Sequence, residues 1–506
     1  MEDKKLSRRE FIYYSSLGLA GLAAPPFLAP GSACGAIGRL VDPPLYNTID
    51  PPAGSALRDV PEIDYKRRQG GIVEVELDAR MADVEIGGRR VELITYNGTY
   101  PSPVIRVKKG DRLRLLHKNS LPGTERRNII NHRFNIINLH THGWHVSPSG
   151  RSDNVFLHIG PGEEFQYEFD TALVEPGAMS FYHTHHHGLT AWHMWNGLAG
   201  PLIVEDETDA LSSLQTHIMV IKDLTVEDGR PAPFTLHDYI TGKEGEAVMV
   251  NGQVNPTLNI RPGQAQRWRL LNACTARYLK LGLEGHELYL AGTDGGLLDR
   301  PYPIKSLLLT PGERADLLVV AKREGASRLL SLPYDRRMNT VEKRTLMTVV
   351  CEGKREEYAL PVVINREARR LDADIDIASL PARRLYLIMA NERGYINLKD
   401  FEVDPYVLTS GVGTHEVWDI MNISPMDHPF HQHTNAAQIL EVRGGESEDY
   451  EVYAKTPAWK DTINVPFMGK VRMLVPVKDF SGKALFHCHI LEHEDIGMMG
   501  VWQIVE

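Results

Sequence analysis

The sequence predicts an all-β protein built of three consecutive β-sandwich domains. Three observations carry that prediction. The chain has 506 residues, more than one hydrophobic core usually serves. A glycine, an alternating apolar strand and an asparagine recur as GDRLRLLHKN (Gly110 to Asn119), GQAQRWRLLN (Gly263 to Asn272) and GTHEVWDIMN (Gly413 to Asn422). The glycines lie 153 and 150 residues apart, about the length of one domain, so the repeat counts three similar units. Finally, runs such as NGTYPSPVIRVKKG and NGQVNPTLNIRPG read as short strands cut by Asn-Gly, Pro and Gly turns, while long amphipathic helical patterns are scarce.

Taken in order, the N-terminal segment places Arg8 and Arg9 before a short apolar run broken by Pro25 and Pro26. It reads as a twin-arginine signal peptide over residues 1–36 and predicts a periplasmic or otherwise extracytoplasmic protein. The run is too short for a membrane span, and no later segment reaches spanning length. Gly31, Ser32 and Ala33 before Cys34 make that cysteine a candidate for lipid anchoring, although the usual leucine three places earlier is absent. Of the other cysteines, Cys274 and Cys351 are candidates for a bridge in an oxidising compartment, with buried free thiols the expected alternative. A net charge of -10 opposes nucleic acid and anionic lipid and suits neutral or cationic small substrates.

The repeat sets domains at 64–205, 206–372 and 373–506, with junctions near Glu205 and in the polar stretch from Arg366 to Asp376. The first and third also share their ends, GPLIVED from Gly200 and GVWQIVE from Gly500. Before those ends lie HTH at His183 to His185 and HCH at His487 to His489; further upstream lie HTH at His140 to His142 and HPFHQH at His428 to His433. The middle unit has no counterpart histidines. Matching His-x-His pairs in the outer units are what a metal site across their interface requires.

In a strand, residues two apart share a face and the residue between them faces the other way. His487 and His489 therefore point to one side and Cys488 to the other. On the thiolate side, His493 and Met498 follow at spacings a turn or short helix folds back, and His428 completes a set of two histidines, one cysteine and a weak thioether. Such a set suits a blue copper ion. Structural zinc, the rival, favours several thiolates. On the opposite side stand His140, His142, His183, His185, His431, His433, His487 and His489, too many imidazoles for one ion and enough for three.

The motifs HTHG, HTH, HPFHQH and HCHILEHEDIGMM resemble the four copper signatures of multicopper oxidases. SDNVFLHIGPGE, GLAGPLIVED, LLNACTAR and TDGGLL extend that resemblance to bacterial three-domain members, the copper-efflux oxidases and bacterial laccases. The resemblance implies three cupredoxin-like Greek-key domains and four copper ions. It gives the type 1 copper to His428, Cys488, His493 and Met498, and the type 2 copper to His140 and His431. The type 3 pair falls to His142, His183, His185, His433, His487 and His489. Every ligand position of the family is filled, unlike in its copper-free structural relatives.

By the same resemblance, a small donor gives up single electrons near His428 or His493, the ligands expected to reach the surface. Cys488 passes them through His487 and His489 to the three-copper cluster, where O2 is reduced to water. Asp153 and Glu494 resemble the acids that supply protons there, with ligand bracing as the alternative role. The chain departs from the family at Thr434, where many members have glycine, and in the surplus His186, His187, His193 and Met194, which either bind metal at an entry port or pack.

Only Met389, Met421 and Met426 lie between Asp374 and Asp427, so the methionine-rich cuprous-ion insert of efflux oxidases is absent. A laccase-like oxidase of phenols or aromatic amines is therefore the leading expectation. Oxidation of cuprous, ferrous or manganous ions in copper tolerance is the alternative, ahead of a non-catalytic periplasmic copper protein. Copper nitrite reductase has no use for the HCH and second HTH pairs.

Overall fold

Each copy of the repeated segment forms a central strand with the same neighbours. The computed structural model describes residues 49–205, 208–338, 342–445 and 449–506, within a single unit from Leu45 to Glu506. The expected export segment, with Arg8, Arg9 and Cys34, lies outside the described residues. Strands Arg112–Asn119, Ala265–Asn272 and His415–Asn422 pair in parallel with the earlier strands Ile72–Ile86, Gln215–Leu224 and Ala382–Ala390. On their other edges they pair antiparallel with Glu164–Asp170, Arg314–Val320 and Lys470–Pro476. A parallel pair in a mostly antiparallel sheet requires a crossover to the facing sheet, and this recurs three times.

The terminal asparagine of each repeat is a structural lace. Asn119 Nδ2 donates to the carbonyls of Asn135 and Ile159, Asn272 Nδ2 to those of Arg277 and Leu309, and Asn422 Nδ2 to those of Met426 and Val465. In each case the amide oxygen accepts the backbone N–H two residues on, from Leu121, Cys274 or Ser424. One buried side chain thus satisfies three main-chain groups where the strand ends and a loop begins, which a hydrophobic residue cannot do.

A second sheet faces each of these. In the first unit it runs Ile105–Lys108, Ala199–Glu205, Met179–His183, His140–His142; in the third, Tyr406–Gly411, Met499–Val505, Gly482–Cys488, His428–Gln432, Thr462–Val465. The middle unit packs a seven-stranded sheet against a five-stranded one. The fold is therefore the all-β, three-sandwich architecture expected. Inward positions alternate along the strands: Val73, Val75 and Leu77 meet Tyr182, Leu202 and Val204 in the first sandwich. In the third, the Trp418 ring lies 4.7 Å from that of Trp502 and 5.7 Å from that of Phe486. Full burial of such side chains contributes about 1.5–3 kcal/mol each.

A further core containing Leu93, Phe181, Trp195, Leu224 and Leu491 joins residues of all three units. The helices are short. Leu491–Asp495 packs against both Thr190–Asn196 and Leu236–Thr241, so its five residues are held by the first and middle units. Cys274 and Cys351 are buried and unbridged, in line with the free-thiol alternative. Among the described residues, no helix is long and apolar enough to cross a membrane.

Candidate metal centre

Strand pairing brings the histidine motifs together. His140 stands opposite His183 in the first unit, and His431 opposite His487 in the third. All are buried, and their donor atoms converge in four groups, each with atoms within 4.8 Å of one another: His140, His142 and His431; His142, His183 and His489; His185, His433 and His487; His428, Cys488 and His493. Three of these groups form one chamber between the outer units. The fourth lies across the strand, reached by Cys488, whose Sγ is 3.4 Å from His428 Nδ1 and 3.6 Å from His493 Nδ1.

Most of these rings turn one nitrogen toward the neighbouring donor atoms because the other is engaged. A carbonyl only accepts, so the nitrogen touching one carries the proton: His431 Nδ1 donates to Asp461 O, His487 Nδ1 to Cys488 O, His183 Nδ1 to Thr184 O and His493 Nε2 to Ile240 O. His140 Nδ1 donates to the Asp153 carboxylate at 2.9 Å, and His428 Nε2 to Ser424 Oγ. Burial holds the imidazoles of His142, His183, His185, His433, His487, His489 and His428 well below their ordinary range, and that of His493 at about 3. They are neutral, with lone pairs free.

Those lone pairs are crowded. His140 Nε2 and His431 Nε2 stand 3.4 Å apart, and His428 Nδ1 and His493 Nδ1 stand 3.2 Å apart, with no proton left to share in either pair. His142 Nδ1, His183 Nε2 and both nitrogens of His489 have no hydrogen-bond partner among the described residues. Buried acceptors facing one another without a donor are costly, and a cation between them removes the cost. Burial also pushes the Cys488 thiol well above its usual range, so a thiolate there requires a positive ion beside it. Two imidazoles and one sulfur fit copper better than zinc. Met498 is buried on the same turn, its N–H bonded to His493 O and its carbonyl accepting from Cys488 N.

Comparison with known proteins agrees with this donor chemistry. Multicopper oxidase family models match residues 78–209, 219–330 and 378–506. The chain belongs to the multicopper oxidase family. It is 28% identical over 453 residues to the multicopper oxidase mco of Staphylococcus aureus, covering 87% of this chain and 90% of that protein. It is 28% identical over 476 residues to a laccase of Bacillus subtilis, covering 81% and 90%. The cell division protein FtsP of Xenorhabdus nematophila is 28% identical over 428 residues, covering 82% and 85%. A multicopper oxidase from Campylobacter jejuni, described as a metallo-oxidase, superposes with a TM-score of 0.78 at 29% identity, covering 90% and 96%. Multicopper oxidases bind copper, and the buried histidine groups are suited to it.

The acids bracing the chamber divide into expected and missed ones. Asp153 accepts from His140 Nδ1 and, at 2.7 Å, from Thr141 N, so it fixes the ring and its strand. Glu494 lies 3.2 Å from His487 Nδ1 and 3.4 Å from His185 Nδ1, and accepts the Thr190 hydroxyl at 2.8 Å. Burial, then the charge of Asp495, push the Glu494 carboxyl well above its ordinary range. Asp461 escaped the sequence reading. It accepts from His142 Nε2 at 3.1 Å and bidentately from Arg314 of the middle unit at 2.6 Å. Burial opposes its ionisation, but Arg314 and His142 hold it well below the usual carboxylate range. Its contribution to stability is therefore complete above about pH 4 and is lost as pH falls through the lower folded value.

Asp294 and Glu313 both pair with Lys460 at 2.8 Å, completing a buried charged lattice beneath the chamber. The signal was present in the charges of PGERADLL and PAWKDTINVP, set inside apolar segments. Gly143 of HTHG belongs to the same lattice, since a Cβ there would fall 2.2 Å from Arg314 Nη2.

His428 and His493 were expected to reach the surface; both are fully buried, capped by Ser424 and Ile240. Thr434 has φ of +67°. Its β-branched side chain is crowded in that left-handed conformation, and its hydroxyl has no partner among the described residues. His193 and Met194 are buried in packing.

Replacing Arg314 by Leu strands the buried Asp461 carboxylate and is expected to cost roughly 3–5 kcal/mol, read as a lower denaturation midpoint. Thr434→Gly is expected to stabilise by up to about 1 kcal/mol in the same assay, by removing left-handed strain.

Proposed function

We propose that this multicopper oxidase takes single electrons from a small donor and reduces O2 to water. The observation that carries the reading is the shared strand end, where Cys488 faces His428 and His493 while His487 and His489 join the opposite chamber. In this reading His428, Cys488, His493 and Met498 hold one copper ion, and His140 and His431 a second. His142, His183 and His489 with His185, His433 and His487 hold a pair, four in all. Bound there, copper supplies one-electron exchange at the sulfur site and four-electron reduction of O2 at the three-ion site.

The chain's own residues do the rest. Engagement of the outer nitrogens by Asp153, Asp461, Thr184, Cys488 O and Ile240 O fixes tautomer and aim before any ion arrives. Glu494, kept protonated by burial, holds a proton beside His185 and His487, and the Thr190 hydroxyl keeps it oriented. Asp153 is the second candidate proton holder, on the His140 side. The domain limits 64–205, 206–372 and 373–506 belong to the same proposal, as does twin-arginine export to the periplasm.

A phenol or aromatic amine is the proposed donor, supported by the laccase relative and by the lack of a methionine-rich insert. Met426 is buried and Met389 partly so. A specific observation favours metal ions as the second reading. Met338 and Met468 are exposed, on segments joined by the Arg337 guanidinium over the Phe467 ring, and the Phe467 N–H bonds Asp427, which precedes His428.

Oxygen uptake by the copper-loaded protein with a phenol, cuprous, ferrous and manganous ion distinguishes these readings. The phenol is expected to give the largest kcat/KM; a dominant cuprous rate reverses the order, and no uptake with any donor removes the oxidase reading. Asp153→Asn is expected to keep the intense visible sulfur-to-copper band while lowering turnover by up to roughly 10²-fold; unchanged turnover excludes Asp153 from proton supply.

A further inference from the structure

Outside these four groups, a fifth cluster of ligand atoms joins the outer units. His132, His187 and Glu402 bring one donor atom each within 4.8 Å of one another, partly exposed rather than sealed. A single carboxylate oxygen, Glu402 Oε1, lies 3.5 Å from His132 Nε2 and 3.5 Å from His187 Nε2. That separation is too long for a good hydrogen bond. It is an ion-pair distance that also equals the edge of a coordination polyhedron, since donors about 2.0–2.2 Å from a tetrahedral ion stand roughly 3.3–3.6 Å apart. Neither nitrogen of His187 makes a hydrogen bond among the described residues.

The three side chains are held in place from outside the cluster. Asn128 Oδ1 accepts from His132 N, and Asn128 Nδ2 donates to Gly188 O at 2.6 Å, clasping the His132 turn onto the segment that carries His187. Gly188 is required by this contact, because a Cβ there would fall 2.1 Å from the His132 ring. The Phe401 ring lies 5.0 Å from that of His187, and Arg393 pairs with both Asp400 and Glu402, steadying the third ligand's loop. A cavity of about 120 Å³, lined by all three ligands together with Ile130, Arg393 and Asp495, leaves room for an ion and water on the open side.

The geometry points to a further metal site here, for a divalent transition ion of the zinc and copper class, with His132, His187 and Glu402 as its protein ligands and a fourth position open to water. Two imidazoles and a carboxylate are a borderline donor set that such ions prefer over calcium or magnesium. The ion would tie the first unit to the third at the surface. This is independent of the oxidase reading, because none of the three residues belongs to the buried groups.

Zinc sulfate is the probe, titrated calorimetrically into the copper-loaded protein, with bound zinc counted after dialysis. One zinc per chain is expected for the unmodified protein, and affinity weaker by roughly tenfold or more in Glu402→Gln and in His132→Ala. Copper content and oxygen uptake serve as the folding control and are expected to be unchanged in both variants. Absence of zinc binding to the unmodified protein, or affinity in either variant equal to that of the unmodified protein, overturns the assignment. A zinc-dependent rise in melting temperature is expected in the unmodified protein and not in the variants, and its persistence in them also counts against the site.

Discussion

The constraint on which the structure turns is the crowding of uncharged imidazole lone pairs in a dry interior. Eight rings from two sandwiches are driven into one chamber, and each has its far nitrogen engaged or its near nitrogen left without a donor. Such an arrangement is unfavourable for polypeptide alone, because buried acceptors with no donor lose the hydration they had in the unfolded chain. It becomes favourable once cations occupy the space between them. Folding and ion binding are thus coupled, and the surrounding protein is organised to keep the rings aimed while the charge is supplied from elsewhere.

That organisation explains the middle unit, which supplies no residue to these four groups. Its Arg314 reaches into the interface to hold Asp461, and Asp461 orients His142. Its Ile240 carbonyl fixes His493, and its Lys243 and Thr275 bond Glu492, the residue just before it. The middle sandwich therefore acts as a wedge that sets the aim of ligands belonging to its neighbours. The charges beneath the chamber are arranged in alternation, with Asp294 and Glu313 on Lys460 and Asp461 on Arg314, so that no buried charge stands alone.

The same principle of outer-nitrogen engagement closes the sulfur site to solvent. With Ser424 on one imidazole and Ile240 on the other, a donor meets backbone and loop rather than a ring edge.

What the sequence determined by itself is the part of the protein written in local periodicity. The alternation of a strand assigns His487 and His489 to one face and Cys488 to the other, and the glycine-to-asparagine repeat counts three sandwiches, because both depend only on residues close in the chain. Tertiary structure alone decided which acids touch which rings. Asp461, Arg314 and Lys460 carry no local signature of their partnership, since the charges that meet in the interior are 147 residues apart in the case of Arg314 and Asp461. It also decided exposure: His428 and His493 look like surface ligands in sequence and are buried, His493 under the middle unit's helix Leu236–Thr241 through Ile240 O and His428 beside Ser424 of its own unit. Spacing fixes direction along a strand, but burial is set by whatever else packs there, and that is a property of the whole chain.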